Sequence, residues 1–413
     1  MLYPIVRYIP AVIDLKAVIL AAGEGRRCRP LTQTRPKVML PVGNHPFMEH
    51  AIDALAGNGI RDLYIVVGYQ KERVMDYFED GLDFGVNITY LQQHELLGTA
   101  HALGKAEGYI DEAFIVVNGD NLIDSRAVGE LIAARGDNVI LAALRRHGGD
   151  YGVLMVEQER VKAIVEKPGR PCSGILNTGA YKFSPEIFEA IHKTPLSERG
   201  SYELTETLSQ MIAEGKEIVP LISKGVWADA IFAWDLLHAN AMALGLKETE
   251  IAGEVEEGAR IKGPVDVGEG SIIRSGSYLV GPVSIGEDCD IGPGAVILPS
   301  TSIGDSVRIG PHSEVRNSII MNDARVGSGA IVSDSVVGES SILGDQLTVE
   351  SGPCVVEVEE AFLKAEFGAI LSDNVTAGAR AMAHAGTLVG SGSRIDSGCV
   401  IRGQIERESR VMG

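Results

Sequence analysis

Residues 15–37 read LKAVILAAGEGRRCRPLTQTRPK, and the order of their parts points to a phosphate-binding turn placed directly after a buried strand. The run Ala17 to Ala22 is uniformly apolar, the pattern of a central parallel strand covered on both faces. Gly23 and Gly25 follow, and residues without a Cβ let backbone N–H groups approach an anion closely. Five cations (Arg26, Arg27, Arg29, Arg35, Lys37) then fall within a dozen residues of a chain whose formal net charge is -19. Such a molecule repels a long polyanion, so nucleic acid is excluded as a partner. A small phosphorylated metabolite needs only a local positive site.

Other glycine-rich turns fit less well. A dinucleotide fingerprint wants a third glycine at the sixth position of the turn, where Cys28 stands with Pro30 close behind. A Walker A loop wants Gly-Lys-Ser/Thr, which does not occur here.

At 413 residues the chain has room for two cores. Aromatic residues make up only 5% of it while glycines number 49, which suggests a part built from small repeated turns. Cysteines 28, 172, 289, 354 and 399 are odd in number and without CxxC spacing, so neither a disulfide framework nor a zinc site is supported, and a reducing cytoplasm fits. The first 14 residues lack the basic start and cleavage site of a signal peptide and read as an extra strand or ragged extension. No apolar segment approaches the roughly 20 residues of a membrane span.

The pattern changes along the chain. From residue 15 to about 230, strand-like runs (62–68, 88–93, 113–120) alternate with helical ones (near 71–80 and 99–110), which argues a parallel α/β sheet with right-handed crossovers. The segment after Pro46 reads as another helix, and residues 233–250 as a closing one. Beyond that the period becomes six: Val255, Ile261, Val267, Ile273, Leu279, Ile285, Ile291, Ile297, Ile303, Ile309 and Val315 are evenly spaced. Hexads with one inward aliphatic residue mark a parallel β-helix in which three hexads make a coil. The register is expected to slip after Met321, to loosen through 326–344 and to resume at Val389, with an inserted loop or hairpin around 345–366.

The run GEGRRCRPLTQTRPKVMLPV resembles the signature GxGTRxxPLTxxxPKxLxPV of the sugar-1-phosphate nucleotidylyltransferases, with Arg26 in place of the usual threonine. The repeats resemble the left-handed β-helix of the hexapeptide acyltransferases, which also forms the C-terminal half of many nucleotidylyltransferases. The resemblance implies a Rossmann-like α/β domain over residues 1–250 and a β-helix domain over 251–413. It implies transfer of a nucleotidyl group from dTTP or UTP to glucose 1-phosphate or N-acetylglucosamine 1-phosphate, with Mg²⁺ as cofactor. The expected partners are these two substrates and further copies of the chain, as a trimer or a multiple of it, with no nucleic acid and no membrane.

By the same resemblance Arg27 and Lys37 are catalytic, at the triphosphate and at the reacting α-phosphate. Ala22, Gly23 and Gly25 line the nucleotide, and Gln93, Gly98 and Thr99 match the base-binding segment. Asp120, at the C-terminal edge of its strand where ligands of open α/β sheets bind, and Asp229 in GVWADA match the metal ligands. Gly152 and Glu166 face each other across an expected hairpin, Lys167 matches the sugar-phosphate cation, and Asn177 and Thr178 the sugar contacts. His101 reads as a packing residue. A non-catalytic relative, such as the exchange subunits of translation factors, would have lost these groups.

In related two-domain proteins the β-helix transfers acetyl groups to amino-sugar phosphates. Where those carry a PHxSYVGDS segment, this chain reads VGSGAIVSDS, with Ser328 for the histidine and Ile331 for the tyrosine; in EFGAILSD, Glu366 stands for a lysine. These exchanges predict no acetyl transfer and leave the β-helix a structural or oligomerising role.

Overall fold

The computed structural model describes residues 15–145, 151–166, 174–197 and 199–413. The expectations for residues 1–14 and for Lys167 fall outside them. The chain forms two compact units, each discontinuous in sequence: one holds the described residues up to Glu24 together with Phe47–Ala228, the other Gly25–Pro46 and Asp229–Gly413.

In the first unit the strand Lys16–Ala21 lies between Asp62–Val67 and Phe114–Asn118 and is parallel to both, with Asn87–Gln92 beyond Asp62–Val67. The apolar pattern is explained by burial on both faces: Val18, Leu20, Val66 and Val116 join a core with Phe183, Phe188 and Leu208, and the alternate residues Ala17, Ile19, Ile65 and Val117 are buried too. The sheet is not parallel throughout. The ten-residue strand Gly174–Phe183 runs antiparallel to Phe114–Asn118, Val139–Arg145 and Gly152–Glu157, which makes the sheet mixed on that side. Neighbours of Lys16–Ala21 on its two sides come from different parts of the chain, so the carboxyl end of this strand is a topological switch point, where open α/β sheets bind ligands. The expected helix near 99–110 is shorter: Thr99–Leu103 is helical and Gly104–Ala106 is a single 3₁₀ turn. The closing helix is Asp235–Leu246, and among the described residues no helix is long and apolar enough to cross a membrane.

The second unit stacks parallel strands into three sheets, the sides of a β-helix. Its axis is the aliphatic column: Val267 to Val315 at six-residue spacing are at most 2% exposed, while Val255 and Ile261, at the open end, are only partly covered. Burying each such side chain is worth about 1.5–3 kcal/mol, and the column supplies in stacked form what a globular core supplies in bulk. Small serines fill the corners; Ser271 and Ser277 donate to the carbonyls of Gly286 and Gly292.

The expected loosening over 326–344 does not occur. Ile309 pairs with Val326, Val326 with Leu343, and Leu343 with Ala377, so the ladder is unbroken. What changes is the corner before Ile320 and again before Val337: Val315 is followed by Ile320 and Val332 by Val337 five positions later instead of six, with Asn317 and Asp334 in the left-handed region as Ser300 is at the six-residue corner before them. One residue lost at a corner shifts the sequence period without unpairing a strand. The insertion is an antiparallel hairpin, Gly352–Val358 with Ala361–Phe367.

Candidate active site

The signature segment belongs to the same compact unit as the β-helix. It is almost devoid of regular structure, with single 3₁₀ turns at Arg26–Cys28, Leu31–Gln33 and Lys37–Met39. Gly25 has φ 68°, and a Cβ there would lie 2.6 Å from the Cβ of Lys37. Glycine is therefore required for the turn and for the approach of Lys37. Among the described residues, no atom beyond its two chain neighbours stands within 4 Å of a Cβ built on Gly23. Cys28, the residue that breaks the dinucleotide pattern, is fully buried with its Sγ toward the carbonyls of Ala230 and Ile231.

Lys37 Nζ lies 2.6 Å from Asp229 Oδ1, and both side chains are mostly buried. Two residues singled out by motif, 192 positions apart, thus form one ion pair. Asp235, which no motif marked, is close in charge terms. Burial first, and then the charge of Asp229, push its carboxyl up to about 6, against the backbone N–H of Phe232, which donates to it at 2.8 Å, and the pull of Lys37. Arg27 Nε donates to Glu359 Oε2 at 3.0 Å, at the tip of the inserted hairpin, and its guanidinium lies over the ring of Phe232. Phe232 stacks on Trp234, and Trp234 on Phe367 at the base of the hairpin.

Arg35 corrects the picture of a five-cation phosphate cluster. Its side chain is 11% exposed and its Nη2 lies 2.6 Å from both Glu339 Oε2 and Asp373 Oδ2. A cation consumed by two carboxylates has a structural task, which no local pattern marks because both partners are more than 300 positions away.

In the first unit, Asp120 is half-buried in the turn after Phe114–Asn118, beyond Gly119, whose N–H bonds the Leu20 carbonyl at the switch point. Gln93 is 4% exposed, and its Nε2 donates to the Gly98 carbonyl at 3.1 Å and lies 2.9 Å from His101 Nδ1. The Gly98 carbonyl fixes which end of the amide is nitrogen. Burial, then Lys105, lower the His101 pKa, so the neutral ring accepts at Nδ1, as befits a packing residue. Gly98 has φ 104° and a Cβ there would meet the Tyr202 carbonyl at 2.5 Å. The Thr99 hydroxyl accepts from the N–H of Leu204 and so satisfies the first N–H of the helix Leu204–Ala213.

The residues expected to contact the sugar are bonded into the sheet. Gly152 pairs with Glu166 in the expected hairpin, and Arg199 lies 3.4 Å from Glu166 Oε1. Asn177 Nδ2 donates to the buried Tyr181 hydroxyl at 2.8 Å, and its Oδ1 accepts from the N–H of Gly179. The Thr178 hydroxyl donates to the Leu141 carbonyl, and its own carbonyl accepts from Asn121 and Trp227 Nε1. Pairing with Val139–Arg145 shifts register between Asn177 and Tyr181. Such bulges re-aim a strand locally.

Comparison with known proteins agrees with this geometry. The family described as nucleotidyl transferase matches residues 16–244, and the one described as GMPPB C-terminal domain matches residues 279–406. The chain is 34% identical to the bifunctional protein GlmU of Methanocaldococcus jannaschii over 405 residues, covering 96% of this chain and 97% of that one. It is 35% identical to the glucose-1-phosphate thymidylyltransferase of Streptomyces antibioticus, over 62% of this chain and 74% of that one. Among solved structures, a putative glucose-1-phosphate thymidylyltransferase from Bacillus anthracis aligns with a TM-score of 0.51 at 30% identity, covering 55% of this chain and 95% of that one. With the signature motif, the mixed sheet and the stacked coils, these matches establish that the chain belongs to the nucleotidyl transferase family.

Proposed function

We propose that this protein joins a nucleoside triphosphate, dTTP or UTP, to glucose 1-phosphate or N-acetylglucosamine 1-phosphate. The observation that carries the reading is the Lys37–Asp229 pair, which brings the cation of the signature and the carboxylate of the second motif together at 2.6 Å. In this reaction a sugar-phosphate oxygen attacks the α-phosphorus, the bond to the bridging β-phosphoryl oxygen breaks, and pyrophosphate leaves with that electron pair. Two anions must approach, so catalysis rests on positioning and charge neutralisation. Lys37 neutralises charge on the reacting phosphate, Arg27 engages the triphosphate, and Lys167 the sugar phosphate. With its amide nitrogen held by the Gly98 carbonyl, Gln93 offers its carbonyl oxygen to the N–H of a pyrimidine. Ala22, Gly23 and Gly25 line the phosphates, and Glu166 and Asn177 the sugar.

Asp120 and Asp229 are the proposed ligands of Mg²⁺. Hard carboxylate oxygens suit that ion. When bound, the cation supplies charge neutralisation to the phosphates. The free cysteines Cys28, Cys289, Cys354 and Cys399 support a cytoplasmic setting, and the flat β-helix sides support assembly into a trimer or a multiple of it, which light scattering tests. A panel of dTTP and UTP against both sugar 1-phosphates, assayed for pyrophosphate release, tests the main reading. No release in any combination overturns it.

A second activity is favoured by one observation. His384 Nδ1 bonds Glu350 Oε2 on the β-helix, a base oriented by a carboxylate. Against it, Ser328 and Ile331 stand where related acetyltransferases carry histidine and tyrosine, and Glu366 lies on the hairpin paired with Pro353. We expect no release of CoA from acetyl-CoA with glucosamine 1-phosphate or galactosamine 1-phosphate. Release that His384→Ala abolishes would make the protein bifunctional.

A further inference from the structure

Between its two reactive cations the signature segment is fastened to the coils at successive residues. The Pro30 carbonyl accepts from Ser372 Oγ at 3.0 Å, and Gln33 Oε1 accepts from the N–H of Ser391 at 3.2 Å. Thr34 Oγ1 donates to Asp373 Oδ2 at 2.5 Å, and Arg35 Nη2 donates to the same oxygen at 2.6 Å. Asp373 is the hub: its side chain is 5% exposed, and its second oxygen accepts from the N–H of Glu339 at 2.8 Å.

We propose that Asp373 of the β-helix is a positioning residue for nucleotidyl transfer, holding Pro30–Arg35 so that Arg27 on one side and Lys37 on the other keep their places at the triphosphate. The proposal rests on the reading of Arg27 and Lys37 given above. The physical need is plain. A segment with only single 3₁₀ turns has little hydrogen bonding of its own, and fixing each residue costs about 1–2 kcal/mol of backbone entropy. A catalytic group that drifts by about 1 Å can lose 10²-fold in rate. A buried carboxylate that accepts from both Thr34 and Arg35 supplies the restraint, and Lys37 lies only two residues further on.

The coils themselves provide the variant and its control. At the same corner of an earlier coil, Asn322 Oδ1 accepts from the N–H of Asp305 at 3.0 Å, and at the next corner round the coil Asp345 Oδ1 makes the equivalent bond, from the N–H of Ser328 at 2.8 Å. Asparagine therefore fills this corner in the native fold. Asp373→Asn keeps the acceptor for Glu339 and removes the charge and one acceptor facing Thr34 and Arg35. Asp345→Asn makes the same change at a corner that does not hold the signature segment.

The test is steady-state pyrophosphate release by the full-length protein, varying dTTP or UTP and sugar 1-phosphate separately. Asp373→Asn should raise the KM for the triphosphate and lower kcat, each by about tenfold, with the KM for the sugar 1-phosphate within about twofold, because Glu166 and Asn177 belong to the other unit. Asp345→Asn should match the wild type in all three constants. A fall in kcat with both KM values unchanged, in step with the loss of folded protein, would make Asp373 merely structural and overturn the proposal. Thr34→Val removes one hydroxyl and should raise the triphosphate KM by a smaller factor; if Asp373→Asn does not fold, an unchanged KM in Thr34→Val overturns the proposal instead. Lys37→Met, assayed alongside, separates the two ideas: full activity there sinks the site assignment, whereas loss there with wild-type constants in Asp373→Asn sinks only the positioning role.

Discussion

Gly25–Leu40 and the strand Gly174–Phe183 both carry residues that match a nucleotidylyltransferase signature, yet the fold treats them differently. In the first, polar side chains divide into two kinds: Lys37 pairs with another motif residue, Asp229, while Thr34 and Arg35 are spent on carboxylates of the coils. In the second, the polar side chains of Asn177 and Thr178 are hydrogen-bonded within the sheet itself. A motif therefore identifies positions, and the bonds each side chain already makes decide whether it is available to a substrate.

The comparison breaks most sharply at Lys37. Lys37→Met should lower kcat by about 10²–10³-fold, more than it raises either KM, because a charge on the reacting phosphate acts mainly in the transition state. A change confined to KM would reduce Lys37 to a binding residue. Asp120→Ala and Asp229→Ala should abolish divalent-cation-dependent turnover while the circular dichroism spectrum stays native; full activity in either would remove it from the metal site.

On the other side of the comparison the expected effects are on stability. Asn177→Ala leaves the buried Tyr181 hydroxyl without its partner and should destabilise by about 2 kcal/mol. Thr178→Val should cost about 1 kcal/mol and leave the sugar 1-phosphate KM unchanged, since that hydroxyl is committed to Leu141. Denaturant titration with parallel kinetics checks both, and a large KM change in Thr178→Val at unaltered stability would return its side chain to the substrate.

A further expected effect concerns pH. The Asp235 carboxyl, raised to about 6, binds its proton more readily in the folded chain than in the unfolded one. Its contribution therefore grows as pH falls from about 6 to about 4 and disappears as pH rises back through 6, an amplitude of about 3 kcal/mol. In metal-free buffer, wild type should gain stability relative to Asp235→Asn over that window. Parallel stability curves for the two proteins would show that Asp235 is not perturbed.

Much of this was legible because it is local. Six-residue spacing puts one aliphatic side chain per hexad on the inside, so Val267 to Val315 announce the β-helix without reference to anything distant. The same holds for the apolar run before Gly23 and for Gly152 opposite Glu166, which a short turn brings into register. The reading faltered at 326–344, where a missing corner residue mimics lost register although the ladder continues.

The sequence by itself determined two architectures, a phosphate-turn signature and the residue types of the site, since each follows from patterns a few residues long. Only the tertiary structure decided that Arg35 is buried against Asp373, that Arg27 meets Glu359 on the hairpin, and that Asp235 is pushed up by its neighbours. For the two arginines the reason is separation along the chain. Hydrogen bonds and charge interactions depend on separations of a few ångströms in space, and partners some 330 positions apart leave no trace in any local period.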